Sequence, residues 1–269
     1  MADAAEKERQ EEVERAAASL RAASVGGFAP LLRMLIKKHK AKFPDDFDEK
    51  ILNGPDKDGN TSLYHAAFVG HVEVTEVLLG QPGIDPNKKN SKEVTPLRAG
   101  LGNDNPEAAE LLLEHEDADG KLEVDGSKAC HQNWNPLCHA SANGYIHVVN
   151  LLLRRANITG PPDAAAAAGS ELDLQDGDGN TALFLACSGG HVRVVKSLLK
   201  AGAGINVMSK GNLSPLYGAA SAGHARVVEI LLSHSEKPNH ALRSDEGDNA
   251  LDAAVKGGHN AVAELLMEL

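Results

Sequence analysis

Aromatic residues are scarce in this chain. Phe, Trp and Tyr make up 3% of its 269 residues, which fits an interior of small Ala, Leu and Val helix pairs. Cysteine is nearly missing too. Cys130, Cys138 and Cys187 are too few, and odd in number, for a disulfide framework. Such usage points to a reducing compartment, so cytoplasm or nucleus is the expected location. Basic residues are in deficit: 27 Lys and Arg against 38 Asp and Glu leave a net charge of −11. Sequence-independent phosphate binding needs a Lys/Arg surface, so no nucleic-acid partner is expected. No apolar run approaches the roughly 18 residues of a membrane span. The opening MADAAEKERQEEVERAAASL is charged throughout and does not read as a secretory signal. Catalytic signatures are also lacking. The chain has no G-x-x-x-x-G-K-[ST] phosphate loop, no H-E-x-x-H pair and no nucleophile-plus-base constellation, so neither an enzyme nor a cofactor is expected.

What the chain has is repetition. TSLYHAAFVGHVEVTEVLL (61–79), TALFLACSGGHVRVVKSLL (181–199) and SPLYGAASAGHARVVEILL (214–232) are copies of one another. Weaker copies are TPLRAGLGNDNPEAAELLL (95–113), NPLCHASANGYIHVVNLLL (135–153) and NALDAAVKGGHNAVAELLM (249–267). All six register without a gap, with Thr61, Thr95, Asn135, Thr181, Ser214 and Asn249 equivalent. A spacing in the thirties and forties marks a solenoid. Thr, Ser or Asn opens each copy and can cap a helix by accepting backbone N–H bonds. Proline follows at Pro96, Pro136 and Pro215, where its missing N–H is harmless. A short helix then ends at Gly70, Gly144, Gly190, Gly223 or Gly258, and a second follows with apolar residues such as Val74, Val77 and Leu78. One such pair cannot bury its own apolar face, whereas stacked neighbours share a continuous core.

The pattern resembles the ankyrin repeat, with its T-P-L-H-x-A-A-x-x-G-H and later V-V-x-x-L-L. The resemblance covers residues 51–269 and implies an all-α solenoid of about six repeats. Two departures stand out. The histidine after Leu is replaced by Tyr64, Arg98, Cys138, Phe184, Tyr217 and Asp252. In the second copy Asp104-Asn105 replaces Gly-His, so its turn needs Asn103 or Asp104 in a left-handed conformation. Residues 1–50 read as a helix over 3–23 leading into a degenerate capping repeat. Ala22, Ala23 and Gly26 take the Ala-Ala and Gly positions, and Leu31, Leu32 and Leu35 supply the second apolar face. Three connections exceed the family norm: 36–55, 114–131 and 154–175. The second is acidic through Glu114, Glu116, Asp117, Asp119, Glu123 and Asp125.

Several constellations have bland explanations. The histidines at 71, 191, 224 and 259 recur at one repeat position, which favours a turn-closing hydrogen bond over catalysis. DKDGNT (56–61) and DGDGNT (176–181) begin like calcium loops but lack the glycine and the closing glutamate, so they read as hairpin tips. Cys130, His131, Cys138 and His139 have metal-ligating chemistry, but their spacing matches no zinc pattern. The basic run Arg33, Lys37, Lys38, Lys40 and Lys42 reads as a solvated helix end, which Asp45, Asp46, Asp48 and Glu49 could neutralise.

The resemblance implies a non-enzymatic module that binds a protein partner in a groove of hairpin tips and first-helix surfaces. Carried over by register, the tip positions are Asp58 and Asn60, Lys92 and Val94, Gln132 and Trp134, Asp178 and Asn180, and Lys210 and Leu213. The helix positions include Phe68 and Asn143. Trp134 beside the acidic 114–125 stretch suggests a partner with a basic and apolar surface. The chain is expected to be a monomer alone. A permanent subunit of a larger assembly is one alternative, and a metalloprotein or enzyme using Cys130, His131, Cys138 and His139 is a second.

Overall fold

The computed structural model describes residues 2–115, 135–155 and 172–269. It falls into two compact units, Met1–His131 and Gln132–Leu269. Among the described residues the structure is helical, with a lone bridge between Ser209 and Leu213 and no strand.

The first unit holds α1 (Ala2–Val25), α2 (Ala29–Lys42), a π-helical turn (Phe47–Leu52), α3 (Ser62–Val69), α4 (Val72–Leu79), α5 (Pro96–Gly102) and α6 (Pro106–Glu114). Inner helices α1, α3 and α5 stack in a row, and outer helices α2, α4 and α6 stack behind them. The second unit repeats the arrangement with α7 (Pro136–Ala142), α8 (Ile146–Arg155), α9 (Ala182–Ser188), α10 (Val192–Ala201), α11 (Pro215–Ser221), α12 (Ala225–Ser233), α13 (Ala250–Lys256) and α14 (Asn260–Met267). There the inner row is α7, α9, α11 and α13.

Local chemistry starts and stops the inner helices from α3 onward. The hydroxyl of Thr61 accepts from the Tyr64 N–H at 3.1 Å, that of Thr181 from Phe184 at 3.2 Å and that of Ser214 from Tyr217 at 3.1 Å. Asn249 and Asp252 form a reciprocal capping box. Gly70, Gly144, Gly190, Gly223 and Gly258 end the inner helices at φ between 70° and 87°. In the second copy Asp104 takes that role at φ 57°, one of the two residues proposed for it.

The capping repeat differs from the sequence reading by one residue. The left-handed glycine is Gly27 at φ 73°, not Gly26. The Phe28 N–H bonds to Ala23 O, as the His71 N–H bonds to Ala66 O in the first full copy. Ala23, Ser24 and Gly27 therefore hold the positions assigned to Ala22, Ala23 and Gly26. Burial decides the register: Ala23 and Ser24 face the core, whereas Ala22 is exposed. The charged N-terminal stretch and the first helix of the capping repeat are one continuous helix, α1. Residues 36–55, read as a long connection, finish α2 and then form the π-helical turn, with Phe47, Ile51 and Leu52 buried. Asp46 does not neutralise the basic run. It pairs with Lys50 at 2.7 Å and Arg9 at 2.8 Å, and the Lys50 bond leads in holding its carboxyl below the usual range.

Candidate functional site

Three of the described hairpin tips are organised by their first polar side chain. Asp56 Oδ1 accepts from the Asp58 and Asn60 amides, both at 2.9 Å. Asp176 does the same for Asp178 at 2.9 Å and Asn180 at 2.8 Å. Asn90 serves Lys92 and Val94 through Oδ1, each at 2.9 Å. Burial works against the Asp56 carboxylate, yet bonds from the Asn60 amide, His65 and the Asp58 amide hold its carboxyl below the usual range. These carboxylates are thus spent on the turn itself, which is the hairpin reading of the two Asp-Gly-rich loops.

Tips bond to their neighbours within each unit. In the first, Ser91 N donates to Asp58 O at 3.0 Å, and Asn90 Nδ2 donates to Asn60 Oδ1 at 2.8 Å. In the second, Lys210 N donates to Gly179 O and Asp245 N to Gly211 O, both at 2.9 Å. A further set of clamps joins the outer loops. Asn53 Oδ1 accepts from Asp85 N at 2.8 Å, Asp173 Oδ1 from Gly204 N at 2.9 Å and Asn206 Oδ1 from Asn239 N at 2.7 Å. Burial raises the Asp173 carboxyl above its usual range.

The recurring histidines do something the sequence did not disclose. Their backbone N–H groups close their own turns, as His71 N does on Ala66 O and His224 N on Ala219 O, both at 2.9 Å, but their rings reach further. Each Nε2–H donates to a carbonyl in the preceding repeat: His71 to Val25 at 2.9 Å, His191 to Ala142 at 2.8 Å, His224 to Ser188 at 2.9 Å and His259 to Ser221 at 3.0 Å. Each ring also lies against the preceding left-handed glycine. A Cβ on Gly190 would stand 2.7 Å from the His224 ring, and one on Gly27 2.7 Å from the His71 ring. Asn105 replaces histidine in the second copy and donates to Phe68 O at 2.7 Å.

With those backbone groups satisfied, the remaining tip side chains are left over. Asp58, Lys92, Asp178 and Lys210 are exposed. Val94 and Leu213 are half-buried. Asn60 and Asn180 are also half-buried, and Asn60 is engaged by Asn90. Phe68 is 42% exposed and stacks on Tyr64 with ring centroids 6.1 Å apart. Asn143 is exposed and donates to His139 O at 3.1 Å. Asp58, Asn60, Lys92, Val94 and Phe68 thus share the first unit. Asn143, Asp178, Asn180, Lys210 and Leu213 share the second. Gln132 and Trp134 lie outside the described residues, as do Cys130 and His131 and nearly all of the two long insertions. Cys138 is buried beside the carbonyls of Leu174 and Asn180, so it packs as a small core residue. Burial pushes the Cys187 thiol far up, which leaves it protonated. Among the described residues no group of three or more His, Cys, Asp or Glu is placed to hold a metal ion. None of their helices is long and apolar enough to cross a membrane.

Helix pairs joined by hydrogen-bonded hairpin tips, and tied by a side chain reaching back to the previous pair, define an ankyrin-type stack. The comparisons agree. A family model described as ankyrin repeats (3 copies) matches residues 82–161, 164–241 and 201–269, and the single ankyrin repeat matches 58–91. The chain belongs to the ankyrin-repeat family. It is 29% identical over 193 residues to ankyrin repeat domain-containing protein SAT10 of Stachybotrys chartarum, covering 72% of this chain and 8% of that protein. It is 33% identical over 113 residues to ankyrin repeat-containing protein C6C3.08 of Schizosaccharomyces pombe, covering 40% of this chain and 45% of that protein. The chain thus spans less than half the length of both relatives. The human ASB11 ankyrin repeat domain superposes with a TM-score of 0.65 at 23% identity, covering 92% of this chain and 96% of that one. That likeness concerns the fold alone. Ankyrin repeats are generally protein–protein interaction modules and are typically non-enzymatic.

Proposed function

We propose that this chain is a non-enzymatic adaptor or regulator that holds a protein partner on its hairpin tips and inner-helix surfaces. One observation carries the reading. The tips and turns bond to each other through backbone and buried polar groups, while Asp58, Lys92, Asp178 and Lys210 project without an ion pair among the described residues. A preformed surface of this kind loses little entropy on association. The acidic 114–125 stretch and Trp134 suit a partner with a basic and apolar face. Cysteine usage suits the cytoplasm or nucleus, and we assign the chain alone a monomeric state.

Affinity capture with the purified chain tests this. The captured partner should be lost with Asp58→Arg plus Lys92→Glu, or with Asp178→Arg plus Lys210→Glu, while the melting temperature stays put. Trp134→Ala should weaken capture in the same manner. A partner that ignores all three variants refutes the groove reading. A chain that is stable only inside a purified complex points instead to a permanent subunit.

A further inference from the structure

Seven of the eleven exposed large apolar side chains among the described residues fall within residues 25–72. Three of them define one surface of α2. This helix buries Ala29, Leu32, Ile36 and His39 against its neighbours. On the opposite face Leu31, Met34 and Lys38 follow at i, i+3 and i+7, with Lys37 beside them. Phe28 heads the row at the N-cap. Met34 is 58% and Phe28 59% exposed. Phe28 occupies the position that histidine holds in the full copies, where a ring rests on the preceding repeat. Its ring folds over Gly26 instead, with a Cβ there falling 2.5 Å from its edge.

The charges on this face are uncompensated. α2 carries Arg33, Lys37, Lys38, Lys40 and Lys42 and no acidic residue. Arg33 is taken by Glu73 at 3.2 Å and Lys42 by Glu12 at 3.0 Å, and Lys40 lies 5.8 Å from the Phe47 ring centre. Lys37 and Lys38 have no carboxylate within 4.0 Å among the described residues. In a chain of net charge −11 this is a local reversal of sign.

We propose that the exposed face of α2 is a docking site for an acidic amphipathic helix of a partner protein. Laid along α2, such a helix would cover Phe28, Leu31 and Met34 with apolar residues at i, i+3 and i+7. Its carboxylates would then meet Lys37 and Lys38 one to two turns further on. A broad anionic membrane would face a body of net charge −11, whereas one helix along α2 meets only the local basic run. A second copy of the chain would bring two bodies of charge −11 together. The surface is separate from the hairpin tips, so it stands or falls independently of the groove.

The probe is a fluorescein-labelled peptide of about 18 residues, with leucine at i, i+3 and i+7 and glutamate elsewhere on that face. A scrambled peptide of equal composition is the control, and the protein is the full chain. Saturable binding is expected, weakening with salt, for the ordered peptide alone. Met34→Glu should cost roughly tenfold in affinity. Lys37→Glu with Lys38→Glu should weaken binding and flatten its salt dependence. Both variants should melt with the parent, because these side chains are exposed, and Asp58→Arg should bind the peptide normally. The proposal is overturned by absent binding, by equal binding of the scrambled peptide, or by indifference to both variants. It is also overturned if phosphatidylserine vesicles take the site in a Met34-dependent way, or if sedimentation reveals a Met34-dependent dimer.

Discussion

His224→Ala removes one coupling between adjacent repeats and nothing else of consequence. The Nε2–H bond to Ser188 O is 2.9 Å long and partly buried, so its net worth is about 1 kcal/mol. The ring also leaves Gly190, forfeiting apolar contact comparable to one methylene, about 0.8 kcal/mol. The expected cost is therefore about 2 kcal/mol, read as a lower midpoint in urea unfolding followed by circular dichroism. The protein itself supplies a rescue. Asn105 does the same work in its own repeat, with Nδ2 donating to Phe68 O at 2.7 Å and Oδ1 lying over Gly70. His224→Asn should recover about half of the loss, by the hydrogen-bond share alone. His224→Asp separates this from capping: aspartate caps α12 as well as asparagine does, but has no N–H to donate. It should resemble His224→Ala or fall below it. A cost under about 0.5 kcal/mol for His224→Ala, or equal stability of the Asn and Asp variants, would refute the coupling.

The remaining expectations are brief. Gly190→Ala should destabilise more than Gly258→Ala, by about 1 kcal/mol. Both sit at left-handed φ, 70° and 72°, but His224 rests on Gly190 and nothing lies within 4 Å of a Cβ on Gly258, so equal costs would deny the ring contact. Burial, with Lys38 and Lys42 nearby, lowers the His39 imidazolium below its ordinary 6.5. The unfolded chain therefore takes up that proton first. The stability of the neutral ring is complete above 6.5 and is lost as pH falls below it. His39→Gln should flatten the dependence of the urea midpoint on pH across that window, and parallel curves would count against it. Thr181→Ala should cost about 1 kcal/mol through the lost helix cap, measured by thermal melting. Cys187 should resist iodoacetamide until urea unfolds the chain, and prompt labelling of folded protein would contradict its burial.

The architecture could be read from residues because its rules are local. A hydroxyl or amide at Thr61, Thr181 or Asn249 caps a helix three residues ahead, and a glycine such as Gly190 turns the chain directly after it. Six registered copies make those rules visible at once. The cap register escaped because alanine is not discriminating. Ala22-Ala23 and Ala23-Ser24 fit the pattern equally well on paper, and the burial of Ala23 and Ser24, with Ala22 exposed, decides between them. The histidine bonds escaped for a related reason, since the acceptor is a backbone carbonyl more than thirty residues away. The tips were placed by register, but not their division of labour. Asn60 is consumed by Asn90, and Val94 and Leu213 are half-covered, whereas Asp58, Lys92, Asp178 and Lys210 face solvent. The apolar face of α2 is not legible in the sequence, because the exposed Leu31 adjoins the buried Leu32 in one leucine-rich run.

The reach of each imidazole toward the previous turn gives the array a grain. Within each unit, a repeat that carries the histidine or the asparagine fastens the one before it. Recombination that copies or deletes whole repeats keeps a receptor carbonyl matched to a ring or amide at each new seam. A graft that brings an aliphatic residue to the histidine position leaves its seam unlocked, however well its leucines interdigitate. Interchange of parts is thus governed by the two ends of the turn more than by the greasy middle of the helices.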